Sequence, residues 1–389
     1  MPTLFARALA AVAALFIAQS AFAQGQNIVT IDRLVAHTST VPAVNGQRVD
    51  IFVREKVRVA ALRAQSGQSF RGRVVLFVHG GYSPALLAFD VPYRDYSWME
   101  FLARAGFDVF AMDMTGYGRS SRPMMDDPCN LAANFQKLVV PKTLKEPCEP
   151  TYKFDLVNSD SETDDINAVV DYIRKLRGVE KINVIGWSGG GIRLGTYVSR
   201  HPEKIEKFVI LASSNYSRKN PDDRPADLPK AGAPTTIQTR EVGIDKRWLG
   251  TVKAECTDAV EPGMPEYIWA LNKDHDPLGA TWGSGGLRAP TRTYWGWNAT
   301  AAKKITVPTM IMVGEQDSLM NSNLDLFEDL GTQQKVFLSI GCATHFVVWE
   351  KQRSVLYRAS LEWLRSGRFS GSDDGTFMIS EEGRLQRVR

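Results

Sequence analysis

Histidine is scarce in this chain and cysteine scarcer, with five of the first and four of the second in 389 residues. No two cysteines stand in a C-x-x-C spacing and no histidines cluster, so a zinc site lacks a ligand set. No H-E-x-x-H, no phosphate-binding P-loop and no dinucleotide fingerprint occurs, which removes the zinc proteases and the common nucleotide binders. The charge excess is small, 47 basic against 43 acidic residues. The basic residues are scattered rather than gathered in a block, so no nucleic-acid partner is expected. There is no internal repeat. After residue 23, no apolar run reaches the roughly 20 residues that span a bilayer. Nothing here calls for a metal or a cofactor.

The first 23 residues form a pattern of their own. Arg7 is the only charge in Met1–Ala23, an apolar run follows from Ala8 to Ala18, and Ala21-Phe22-Ala23 is an A-x-A site. This predicts a secretory signal peptide cleaved near Ala23, with a mature chain from Gln24. The run is too short to anchor the chain, and no cysteine near the site invites lipid attachment. Export to the periplasm or beyond makes an even cysteine count read as two disulfides. Cys129 and Cys148 share one insertion and can close a local loop, which leaves Cys256 for Cys342, one of three possible pairings.

Short apolar runs punctuate the rest. Val49–Val59 alternates as an early antiparallel strand. Arg73–His79, Phe107–Met112, Lys181–Ile185, Phe208–Ala212, Thr309–Val313 and Lys335–Ile340 read as buried strands. Helical patterns lie between them at Tyr96–Ala105, Asp160–Leu176, Ile192–Arg200 and Arg353–Arg365, with Ser161-Glu162-Thr163-Asp164 resembling a capping box. Strands alternating with helices imply a mostly parallel sheet covered on both faces. Two stretches break the rhythm. Met124–Asn158 is polar and holds two cysteines. Ser213–Ile305 is too long for a connection and rich in proline, glycine and tryptophan, so it reads as a cap over the carboxyl ends of the strands. The expected organisation is therefore a core from 24–212 and 306–367, a cap from 213–305, and a loosely ordered polar tail from 368–389.

The chemistry concentrates at four strand ends. Gly186-Trp187-Ser188-Gly189-Gly190 follows Ile182-Asn183-Val184-Ile185 and precedes a helix, placing a serine at the apex of a strand–turn–helix. The plainer reading of Ser188 is a helix N-cap. A serine nucleophile needs a base, and His345, after the last core strand, stands where the base belongs on this chain order. His37, His201 and His275 lie elsewhere. The acid falls in Val313-Gly314-Glu315-Gln316-Asp317, where Asp317 is the first choice and Glu315 the alternative. Such a carboxylate fixes the imidazole tautomer and stabilises the imidazolium. Oxyanion donors are expected from the N–H of Gly189 and from His79-Gly80-Gly81-Tyr82, with Gly81 preferred and Tyr82 the alternative. His79 reads as a brace for that loop, and Asp113-Met114-Thr115-Gly116-Tyr117-Gly118-Arg119-Ser120 as a structural turn.

On His79-Gly80-Gly81, Asp113-x-x-Gly116-x-Gly118-x-Ser120, the serine turn, Gly314-x-x-Asp317 and His345, the chain from about Arg73 to Arg365 resembles the α/β-hydrolase superfamily. The resemblance implies an eight-stranded, mostly parallel sheet and a serine hydrolase. The turn is similar to those of esterases, lactonases, proline iminopeptidases and cofactor-free haloperoxidases. The first reading is a carboxylic ester or lactone hydrolase acting on a small molecule. The alternatives are an aminopeptidase or amidase, a haloperoxidase or perhydrolase with the same triad, and a non-catalytic binding protein. An aminopeptidase needs a carboxylate for the substrate ammonium, and the cap offers Glu241, Glu255, Glu261 and Glu266. The cap also holds Trp248, Trp269, Trp282, Trp295 and Trp297, five of nine tryptophans. Their plainer role is the cap's own apolar core, and their sharper one an aromatic substrate pocket.

Overall fold

A ten-stranded sheet runs through the centre of the computed structural model, which describes residues 27–64 and 70–388 apart from the Thr257 side chain. The segment expected to be a signal peptide lies outside the described residues. In chain order the strands are β1 Ile28–Thr38, β2 Arg48–Arg58, β3 Val74–Val78, β4 Asp108–Met112, β5 Val157–Asn158, β6 Ile182–Trp187, β7 Ile205–Leu211, β8 Thr235–Thr239, β9 Gly286–Pro290, β10 Arg292–Thr293, β11 Thr309–Gly314, β12 Lys335–Ile340, β13 Gly375–Ile379 and β14 Leu385–Arg387. The large sheet has the order β1-β2-β4-β3-β6-β7-β11-β12-β13-β14. It is parallel from β4 through β13, while β2 runs antiparallel to both its neighbours and β14 to β13. Every residue of β3, β4, β6 and β11 is buried, as helices on both faces of a parallel sheet require.

The helix Ser159–Arg177 illustrates how the covering layer forms. Ile166, Val169, Val170 and Ile173 fall three and four apart and bury one apolar face. Its start lies earlier than the sequence signal. Asn158 caps it, accepting from the Asp160 and Ser161 N–H groups, and the Ser161 side chain answers back to the cap. The real capping box is thus Asn158/Ser161, which frees Glu162 to point into the molecule. Gly178 closes the helix at φ 62°.

Eight strands of the sheet match the expected number, and the tail adds two more. Polar composition made residues 368–389 read as loose, but Thr376-Phe377-Met378-Ile379 carries enough apolar surface to pair with β12 in register from Val336↔Gly375 to Ile340↔Ile379. Phe377 is buried against Phe369, their ring centroids 5.3 Å apart.

The two irregular stretches meet. Leu131, Val139 and Leu144 from the first share an apolar cluster with Ile237 and Trp282 from the second. β5 pairs with β10, and β8 with β9, in two small ladders. The end of the second stretch packs into the main core, where Trp297, Ala301, Ala302 and Ile305 are buried. Disulfides join Cys129 to Cys148 and Cys256 to Cys342, with Cα separations of 5.3 and 5.4 Å. The second ties the long insertion to the loop that carries His345.

If β13 is integral to the sheet, Phe377→Ala should lower stability by about 3 kcal/mol, as truncation of a buried phenylalanine does. Urea unfolding of the two proteins measures this, and a change below about 0.5 kcal/mol would mean the tail strand contributes nothing.

Candidate functional site

β6 and the helix Gly189–Arg200 are joined by a single residue, Ser188, at φ 53° and ψ −115°. A positive φ is rare for a side chain with a Cβ and has to be held by its surroundings. The Ser188 N–H donates to the Leu211 carbonyl at 2.9 Å, and its carbonyl accepts from Gly191 at 2.9 Å and Ser214 at 3.1 Å. Two glycines make the turn possible. A Cβ on Gly190 would collide with the Val78 carbonyl, and one on Gly186 would lie 2.6 Å from the Gly190 oxygen. The hydroxyl does not cap the helix that follows, so the plainer reading of Ser188 fails.

His345 and Asp317 meet as a pair. The His345 Nδ1–H donates to Asp317 Oδ2 at 2.7 Å, and the other Asp317 oxygen accepts from the Leu319 N–H at 2.9 Å. Asp317 is buried and His345 half-buried. With Nδ1 committed, Nε2 is the nitrogen left to face a substrate or a hydroxyl. Glu315 is exposed, and its carboxylate accepts from the Cys342 N–H at 3.2 Å instead. The Trp187 indole N–H donates to the His345 carbonyl at 3.0 Å, linking the serine turn to the histidine loop.

The glycine loop lies on the other side. His79 is fully buried, its Nδ1–H donating to the Gly80 carbonyl at 2.7 Å and its Nε2 accepting from the Met114 N–H at 3.1 Å. Burial, and next the charge of Arg193, hold its pKa well below the ordinary 6.5, so it is a neutral brace. Among the described residues, neither the Gly81 nor the Tyr82 N–H meets an acceptor. Gly81 lies beside Gly189, since a Cβ on Gly189 would stand 3.3 Å from the Gly81 nitrogen. Asp113 accepts from the Ala85 and Arg119 N–H groups at 2.7 and 2.9 Å, giving its turn a structural role.

Beneath this loop lies a charged trio that the sequence did not reveal. Glu162 accepts from Arg193 Nε at 2.8 Å and from Arg292 Nη2 at 3.2 Å. Arg193 also donates to the His79 carbonyl at 2.6 Å. Glu350 was missed as well. It is buried and accepts from the Thr344 N–H at 2.9 Å and the Trp248 indole N–H at 3.0 Å, joining the histidine loop to the long insertion. Burial pushes its pKa up. Apart from Thr344 with Glu350, these pairings span distant parts of the chain, and only Arg193 among the small and apolar residues at the start of the helix after the serine hints at one.

One narrow cavity of about 20 Å³ brings Ser188, His345 and the glycine loop together. Its core-side wall includes Gly81, Ser188, His345, Trp187, Phe346 and Trp349, and the long insertion adds Gln238, Ile244, Arg247, Trp269, Asn272 and Leu287. Of the five tryptophans in the insertion, Trp248, Trp282 and Trp297 are buried in apolar cores, Trp295 is buried outside them, and Trp269 lines the cavity. The acids offered for an ammonium go elsewhere. Glu241 pairs with Lys246, Glu266 with Arg240 and Glu261 with Arg94, while Glu255 is exposed and absent from the lining. Among the described residues, no three His, Cys, Asp or Glu side chains are grouped to hold a metal ion, and no helix is long and apolar enough to cross a membrane.

A family model described as the alpha/beta hydrolase fold matches residues 73–352. The bifunctional esterase/perhydrolase of Acinetobacter calcoaceticus is 25% identical over 265 residues, covering 64% of this chain and 76% of that protein. Bifunctional epoxide hydrolase 2 of Sus scrofa is 22% identical over 285 residues, covering 64% of this chain but only 45% of its own length. Among solved structures, a bromoperoxidase from Bacillus anthracis matches with a TM-score of 0.49 at 15% identity, over 86% of this chain and all of that one. An esterase from Thermogutta terrifontis gives 0.49 at 16%, over 86% and 98%.

The trio allows a pH test. Burial alone would raise the Glu162 pKa, but the charges of Arg292 and Arg193 outweigh it and hold the carboxyl below its ordinary 4.5. A carboxyl with a lowered folded pKa stabilises the fold above about pH 4.5, and that contribution is lost as pH falls through the folded value. Glu162→Gln leaves two guanidinium groups uncompensated and should cost about 3–5 kcal/mol at neutral pH. The gap from wild type should narrow between pH 6 and pH 3 in thermal unfolding. A gap that stays constant across that range would rule out the electrostatic account.

Proposed function

The chain belongs to the α/β-hydrolase fold family, and from that premise we propose that it is an exported serine hydrolase cleaving a carboxylic ester or lactone. The observation that carries this reading is the convergence of Ser188 with the His345–Asp317 pair on one cavity, beside the unpaired N–H of Gly81. Ser188 Oγ attacks the carbonyl carbon as His345 Nε2 takes its proton. The carbonyl oxygen gains charge and is met by the N–H groups of Gly81 and Gly189, the latter at a helix start where N–H groups have no partner within the helix. His345 then gives the proton to the leaving alkoxide, and Asp317 stabilises the imidazolium while it lasts. Water attacks the acyl-enzyme by the same route and restores the serine. The long insertion, braced by the shorter one, acts as the cap over this centre. Two disulfides suit an oxidising compartment and support export.

The competing readings are weaker on specific grounds. An aminopeptidase needs a carboxylate for the substrate ammonium, and none lines the cavity. Epoxide hydrolysis, named in the pig relative, resembles an aspartate-nucleophile mechanism in this fold, and the position holds Ser188. Perhydrolysis, named in the Acinetobacter relative, uses the same triad, with peroxide in place of water at the second step.

Assay with nitrophenyl esters and aminoacyl anilides tests the proposal. Ser188→Ala should lower kcat on esters by about four orders of magnitude or more, and Asp317→Asn by less. Wild-type turnover of an aminoacyl anilide faster than any ester would instead select the peptidase.

A further inference from the structure

The wall contributed by the long insertion carries polar chemistry that cleavage of a simple ester leaves unused. Arg247 lines the cavity and is exposed. Its basic neighbours are both neutralised, Arg240 by Glu266 at 3.1 Å and Lys246 by Glu241 at 2.7 Å. Arg247 makes no ion pair among the described residues, and no carboxylate lines the cavity to take its charge.

Asn272 supplies the second, independent observation. It sits three residues after Trp269 on the helix Met264–His275, so the two share a helix face, and both line the cavity. The residue is 3% exposed, yet its Oδ1 is buried without a partner and its amide makes no hydrogen bond among the described residues. Buried polar groups are nearly always paired, so an unpaired Oδ1 at a cavity wall marks a place where a ligand's N–H or O–H supplies the partner.

We propose that Arg247 and Asn272 form a recognition site for a carboxylate-bearing substrate, so that the esters cleaved at Ser188 are those whose acyl chain ends in a carboxylate. The proposal rests on the hydrolase reading above and names its substrate class. The guanidinium fork matches the two oxygens of a carboxylate. A single guanidinium offsets a single negative charge, which favours a carboxylate over a phosphate dianion. The Asn272 Nδ2–H donates to the carboxylate beside Arg247, its unpartnered Oδ1 accepts from an N–H or O–H elsewhere on the substrate, and Trp269, Phe346 and Trp349 line the space between the charge and the ester.

The test compares 4-nitrophenyl hydrogen glutarate with 4-nitrophenyl pentanoate, of equal acyl length. Wild type should favour the anionic ester by about tenfold or more in kcat/KM, the size of one charge-assisted hydrogen bond. Arg247→Met should bring that ratio to about one, Arg247→Lys should restore part of it, and Asn272→Ala should lower it. A second arm avoids catalysis: calorimetry of Ser188→Ala with monomethyl glutarate and with methyl pentanoate, where only the first should bind and only while Arg247 is present. Equal kcat/KM for the two nitrophenyl esters overturns the carboxylate site and leaves the ester hydrolase standing. Arg247-dependent binding without cleavage of either ester keeps the site and overturns the hydrolase. Equal loss of both activities in Arg247→Met, or binding indifferent to Arg247, overturns the proposal.

Discussion

The close approach of Gly190 to the Val78 carbonyl is the constraint from which the rest of the site follows. It brings the start of one helix against the end of the neighbouring strand, with no room for a side chain between them. The chain can turn from β6 into that helix only through a residue at positive φ, and Ser188 occupies it. The same contact sets the glycine loop after Val78 beside Gly189. Arg193, one turn along the helix, then donates to the His79 carbonyl and locks the loop in place. Strain at one residue is thus offset by hydrogen bonds on both sides, a cost that functional sites tolerate when their surroundings over-determine them.

Much of this was legible in the sequence, for a physical reason. Buried parallel strands are short, wholly apolar runs, and the serine turn needs small residues at fixed offsets, so local composition betrays both. Chain order placed the base at His345 and the acid at Asp317 or Glu315, because strand ends gather at one edge of such a sheet, and the fold brings Asp317 to His345. The tail strand hid because its apolar content is three residues in a polar run and its stability comes from pairing with β12, a long-range effect. Glu162, Arg193, Arg292 and Glu350 hid for a similar reason. A charged residue reads as solvated surface until the partner that buries it is known, and here most of the partners lie far away in the chain.

The two irregular stretches depend on each other. Neither has a core large enough to stand alone, yet Leu131, Val139, Ile237 and Trp282 make one cluster from both. The long stretch is tied to the core around the candidate site through three links of different kinds: the Cys256–Cys342 disulfide, the Trp248–Glu350 hydrogen bond and the Arg292–Glu162 ion pair. Such multiple fixing suits a wall that lines the same cavity as Ser188. Most of its tryptophans serve packing, and the cavity takes its character from the one that does not and from the polar groups beside it.

The central claim is that Ser188 is a nucleophile activated by His345. Treatment with a fluorophosphonate followed by intact-mass measurement and peptide mapping tests it most directly. The account predicts a single adduct per chain, located on Ser188 and greatly slowed in His345→Ala. An adduct on another residue, or a native protein that remains unlabelled, would contradict it.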